Sequence, residues 1–176
     1  EGIWFSNLGL AYHNLGQAEL AIEFYEQGLA ITQEINDRQY EGVCLSRIGN
    51  AYRALGQISR AVKFHEQALD IAQEIDSLWL RETVLDNLGR NYHDLGEIER
   101  AIEYHEKALA IACQIGDLQQ EGFQLSRIGI GYRALGQIGR AVEFHEKALT
   151  IARKIGDHRR EGSLLGHLGI AYRNLG

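Results

Sequence analysis

The chain repeats itself every 40 residues. Gly9, Gly49, Gly89, Gly129 and Gly169 are each 40 apart, as are Tyr12, Tyr52, Tyr92, Tyr132 and Tyr172, and Gly16, Gly56, Gly96, Gly136 and Gly176. Ala21, Ala61, Ala101 and Ala141 keep the same register. Four full repeats cover 1–40, 41–80, 81–120 and 121–160 without an insertion, and 161–176 begin a fifth. A fixed period of this length marks a stacked array, in which each unit buries its apolar face only against its neighbours. A longer period lies above it. Repeats 2 and 4 share LSRIG, YRALGQI and FHE, whereas repeats 1 and 3 share NLG and AIE.

Each repeat carries two helical patterns. In repeat 2, Leu45, Ile48, Gly49, Tyr52 and Leu55 fall on one face; Ala61, Phe64, His65, Ala68, Ile71, Ala72 and Ile75 fall on one face of the next helix. Gly56 ends the first as a C′ glycine. Asn36, Asp76, Gly116 or Gly156 ends the second, all residues that tolerate a left-handed backbone. The next residue is Asp37, Ser77, Asp117 or Asp157, each a good N-cap. These signals predict a helix A near 38–55 and a helix B near 57–75, with equivalents in every repeat. Gly49 and Ala61 let the two helices approach closely, with Tyr52 beside them. The absence of proline and the presence of 20 glycines fit long helices broken by tight turns.

No constellation reads as catalytic. His65, His105 and His145 recur one repeat apart, each followed by Glu, but the HE pair lacks the second His of HExxH. Stacked helix pairs would separate them by about 10 Å, too far to share a metal, so they are assigned to packing. The glycines follow the repeat and form no phosphate loop. The reading expects no enzyme, no cofactor and no metal. The net charge of −6 argues against nucleic acid. No apolar run approaches a membrane span and no signal peptide is visible. Cys44 and Cys113 lie in different repeats and are expected to be unbridged thiols in a cytoplasmic protein. The lack of Met suggests a piece of something longer.

The pattern resembles the tetratricopeptide repeat, whose signature is W-x2-L-G-x2-Y, then A-x3-F, then A and P. Repeat 1 offers Phe5, Leu8, Gly9, Tyr12, Gly16, Ala21, Tyr25 and Gly28; repeat 2 offers Leu45, Ile48, Gly49, Tyr52, Gly56, Ala61, His65 and Ala68. The match runs along the whole chain. It departs in its Trp position, its missing proline and six extra residues per repeat. Forty-residue repeats of this kind are similar to those of Pins-like polarity adaptors and bacterial regulatory arrays. The resemblance implies an all-α fold: a right-handed α-solenoid of stacked antiparallel helix pairs, four full repeats plus a terminal helix A, as one array over 1–176. It also implies a peptide-binding scaffold with helix A lining the concave groove.

On that orientation, the face opposite the core stripe can be read from the 100° helical step. It carries Arg47, Arg53, Arg90, Arg127, Arg133, Arg159 and Arg173 against Asp86 and Asp94, a balance of +5 in a chain of −6, which leaves −11 elsewhere. Ser6, Ser46 and Asn174 fall on this face too. The planar fork of arginine suits carboxylates. Asn7, Asn50 and Asn87 are placed to bond a peptide backbone, with His13 beside them as a further contact and Trp79 and Phe123 as apolar anchors. Trp79 serves either as an anchor or as packing for a neighbouring connector. The expected partner is an acidic peptide held by Asn7, Arg47, Asn50, Arg53, Trp79, Asn87, Arg90, Phe123, Arg127, Arg133 and Arg173. The alternative is a structural spacer that self-associates through the array ends into a homo-oligomer, with no dedicated peptide.

Overall fold

Helices A and B alternate as the period predicts. The computed structural model describes residues 2–175, with side chains as far as Arg173; Gly176, the fifth turn glycine, and the Asn174 side chain lie outside them. Among the described residues there are nine helices and no strand: α1 (Gly2–Asn14), α2 (Ala18–Glu34), α3 (Arg38–Ala54), α4 (Ile58–Glu74), α5 (Leu78–Asp94), α6 (Ile98–Ile115), α7 (Leu118–Ala134), α8 (Ile138–Ile155) and α9 (His158–Leu175). Odd numbers are helices A and even numbers helices B.

The punctuation works as the residues dictate. Gly56 has φ 72° and opens the A-to-B turn, while Asn36 and Asp76 take φ 55° and 50° at the B-to-A turns. The carboxylates of Asp37, Asp117 and Asp157 accept the backbone N–H groups of Tyr40, Gln120 and Arg160, at 3.1, 3.0 and 2.9 Å. Each satisfies a donor that the first helical turn leaves open. Asp117→Ala should therefore cost about 1 kcal/mol. Thermal unfolding followed by circular dichroism should show a midpoint lower by roughly 2–4 °C.

The chain forms two compact units, 1–95 and 96–176. In the first, α2 packs on α1 and α3, α4 packs on α3 and α5, and helices A also meet directly, α1 with α3 and α3 with α5. In the second, α7 packs on α6 and α8, and α8 on α9. Small residues bring the helices together through a ring in a notch. A Cβ on Gly9 would lie 2.6 Å from the Tyr25 ring, one on Gly49 2.6 Å from His65, and one on Gly129 2.7 Å from His145. Tyr52 stacks on Phe64 at 5.3 Å and Tyr132 on Phe144 at 5.4 Å. Thus the recurring histidines do pack, each in the place Tyr25 holds in repeat 1. Among the described residues no helix is long and apolar enough to cross a membrane.

Candidate functional site

The spacing of Arg47, Asn50 and Arg53 puts them on one side of α3. Arg90 comes from α5, and His13 and Asn14 from the last turn of α1. Together with Leu10, Tyr25 and Ala54 they line a cleft of 330 Å³ in the first unit. No carboxylate is among these lining residues. Two of the arginines are held in place. Arg47 donates from Nη1 to the Ser6 hydroxyl at 2.5 Å, and Ser6 is itself buried. Arg53 donates from Nε to Asp94 at 2.7 Å, in a pair whose side chains are 27% and 33% exposed. A pair that open to water contributes at most about 1 kcal/mol and leaves Arg53 available to a competing anion. The Nε2 atom of His13 is buried without a hydrogen-bond partner among the described residues.

The remaining residues named from sequence sit elsewhere. Asn7 is exposed on α1, and Trp79 is 57% exposed in the first turn of α5. Asn87 is not brought to the cleft. It is buried, and its amide donates to the Ser46 hydroxyl at 3.3 Å. Ser6 and Ser46 are buried as well. The physical reason is that helices A touch one another as well as their helices B. The open face is therefore narrower than a wheel with one buried stripe suggests.

In the second unit, Phe123 lines a separate cleft of 520 Å³ with Gln119, Asp157, Arg159, Arg160 and Ser163. The Arg160 guanidinium lies 3.5 Å from the Phe123 ring centroid and donates to the Gln119 carbonyl. Arg127 and Arg133 are half-buried and Arg173 is exposed.

Sequence reasoning missed a set of buried polar pairs. His65 is fully buried; its Nε2–H donates to the Ser46 carbonyl at 3.2 Å and its Nδ1 accepts from the Asn91 amide at 2.7 Å. That tautomer leaves no room for a second ring proton. Burial, with Arg90 and Arg53 nearby, lowers the His65 pKa to about 4. His105 donates from Nδ1 to the Gln124 side-chain carbonyl at 3.0 Å. His145 faces the His167 ring at 5.0 Å, and burial, His167 and Arg133 lower its pKa to about 4. The signal was a break in symmetry. Asn91 stands where the other repeats carry Ala11, Ala51, Gly131 and Ala171, and Gln124 where they carry Trp4, Cys44, Val84 and Leu164.

Burial pushes the Cys44 thiol up, which keeps it from acting as a nucleophile. Both cysteines are free, Cys44 buried and Cys113 exposed. Among the described residues no three of His, Cys, Asp or Glu are grouped to hold a metal ion.

Comparison with known proteins places this geometry in a family. A tetratricopeptide repeat profile matches residues 2–74, and a second matches residues 83–115 and 124–155. No curated protein sequence matches the chain. Among solved structures, BtubC from P. vanneervenii is similar with a TM-score of 0.88 and 23% identity, over 97% of this chain and 71% of its own. A putative kinesin light chain from P. anserina, with nearly identical TPR-like repeats, gives 0.81 and 25%, over 97% of this chain and 84% of its own. Aspartyl phosphate phosphatase F from Bacillus subtilis gives 0.91 and 20%, over 99% of this chain and 47% of its own. The fold of stacked A and B helices and the two profiles, which together span most of the sequence, agree: the chain belongs to the tetratricopeptide repeat family.

Proposed function

We propose that the chain binds an acidic peptide segment against its helix-A faces, as an array within a longer adaptor or regulator. Family membership supports the coarser part, a protein-interaction scaffold. The acidic partner is argued from one observation: Arg47, Arg53 and Arg90 meet beside Asn50 in a cleft with no carboxylate among its lining residues. Complementary charge of this kind speeds encounter and sets register more than it raises affinity. Asn7 and Trp79 extend the same surface chemistry in the first unit; Phe123, Arg127, Arg133 and Arg173 offer it in the second. The reading assigns no catalytic step and no cofactor. Its two free thiols suit the reducing cytoplasm.

The test compares wild type with Arg47→Glu/Arg90→Glu on arrays of acidic, neutral and basic peptides at two salt concentrations. Selective acidic binding by wild type, weakened by salt and lost in the variant, is the expected result. Equal binding by both proteins would move the site off this cleft.

A second reading, self-association through the array ends, draws on Trp4. That residue is 80% exposed, whereas Cys44 and Val84 at its equivalent positions are buried. Light scattering that shows mass rising with concentration in wild type, and not in Trp4→Ser, would favour it.

A further inference from the structure

We propose that copies of this chain join head to tail, the outer face of α1 in one copy docking on the open face of α9 in the next. The inference deepens the self-association reading and rests on it. The packing of helices A and B points to both faces. One register of helix A meets the preceding helix B. Cys44, Ile48 and Ala51 hold it in α3 and are fully buried, as are Val84 and Leu88 in α5. In α1 the same register holds Trp4, Leu8 and Ala11, all exposed, with exposed Leu15 one turn further.

A second register of helix A meets its own helix B. Leu45, Leu85 and Leu125 hold it and are buried, and the notches at Gly49 and Gly129 hold the rings of His65 and His145. In α9 this register is open. Leu165 is 47% exposed, Tyr172 is exposed, and nothing lies within 4 Å of a Cβ on Gly169. Both open faces thus continue the A–B interface that the rest of the fold repeats. Trp4 of a second copy offers a ring for the notch at Gly169.

Charge decides which faces pair. Between Gly2 and Asp37 the sequence has five carboxylates and no Lys or Arg, a balance of −5. From Ile138 to Arg173, seven Lys and Arg stand against four Asp and Glu, a balance of +3. Docking α1 on α1 would bring −5 toward −5, and α9 on α9 would bring +3 toward +3. The unlike pairing brings opposite signs together, which steers the encounter and fixes its orientation. α1 itself has no Asp, Glu, Lys or Arg, so its apolar stripe can be buried without stranding an ion. One effect opposes the contact. α1 has 13 residues, about 20 Å of helix, where a helix B has 17 or 18. Less area is buried than inside the array, so association is weak and depends on concentration. The two patches differ, so each added copy leaves a face open for the next.

The experiment reads mass by light scattering over a concentration series. It uses wild type, Trp4→Asp, Leu165→Asp and an equimolar mixture of the two variants, each checked for helicity. Wild type should rise past the mass of two chains, and added salt should lower that mass. Each variant alone should stay at the mass of one chain, because each lacks one of the two faces. Their mixture should form pairs of chains and nothing larger. Association of either variant alone would show a two-fold contact. That would overturn the head-to-tail arrangement and leave self-association standing. A wild-type mass that never rises would overturn both. Binding of a fluorescein-labelled peptide of the α8 sequence to such a monomer, and not to its Leu165→Asp variant, would assign the α9 face to a partner helix instead of a second copy.

Discussion

Acidification from pH 6.5 to 4 should strip the protein of up to about 3 kcal/mol for each of His65 and His145. Each histidine titrates near 6.5 when unfolded and near 4 when folded. Between those values the unfolded chain binds more protons, so stability falls as pH falls. The cause is structural. Protonating His65 would break its bond from Asn91 and place a charge in a fully buried notch near Arg53 and Arg90. Protonating His145 would place one beside His167 and Arg133. The paired carboxylates of Glu74 and Glu161 are held low by Arg38 and Arg153, and their contributions are lost only further into acid.

Urea midpoints at stepped pH values measure the loss. Both tryptophans, Trp4 and Trp79, lie in the first unit, so their fluorescence reports the His65 region; circular dichroism reports both units. His145→Tyr copies Tyr25 opposite its glycine and should flatten the dichroism profile while leaving the fluorescence profile alone. A midpoint that stays level down to pH 4 would show that neither histidine is held neutral.

Gly49→Ala should destabilise the protein by about 2–3 kcal/mol, although alanine is the better helix former. The added methyl falls 2.6 Å from His65 Nε2, with two more ring atoms at 2.8 Å. The ring has nowhere to go, because Ser46 and Asn91 fix it on both nitrogens. Gly169→Ala tests the same register position without the ring: nothing lies within 4 Å of its Cβ. That change should stabilise α9 by up to about 1 kcal/mol. Thermal midpoints should move in opposite directions, down by roughly 5–10 °C for the first and up by a few degrees for the second.

The fold was legible because its signals are local and repeated. Gly56, Asp76 and Asp117 act within a turn of themselves, and a 40-residue period places every copy. The candidate site was legible only in part. Arg47, Asn50, Arg53 and Arg90 could be grouped from sequence because a helix face is set by residue spacing, and the structure puts all four on one cleft. Asn87 was misjudged because its burial depends on a neighbouring helix A, a contact that no single helical wheel contains. The Arg53–Asp94 pair joins residues 41 positions apart, and the Arg160–Phe123 stack is equally non-local. The pairs His65–Asn91 and His105–Gln124 were visible only as breaks in symmetry, whose meaning required three dimensions.

Those pairs also act as addresses. A chain of near-identical repeats invites helices to dock one repeat out of place, a known hazard of such arrays. If α5 settled on α2 in place of α3, Asn91 would meet the Tyr25 ring and His65 would lose its amide partner. Each stranded polar group would cost about 1–3 kcal/mol. The buried amides that interrupt the repeat thus label two of the interfaces with their own partners, and help the chain tell its otherwise interchangeable hairpins apart as it folds.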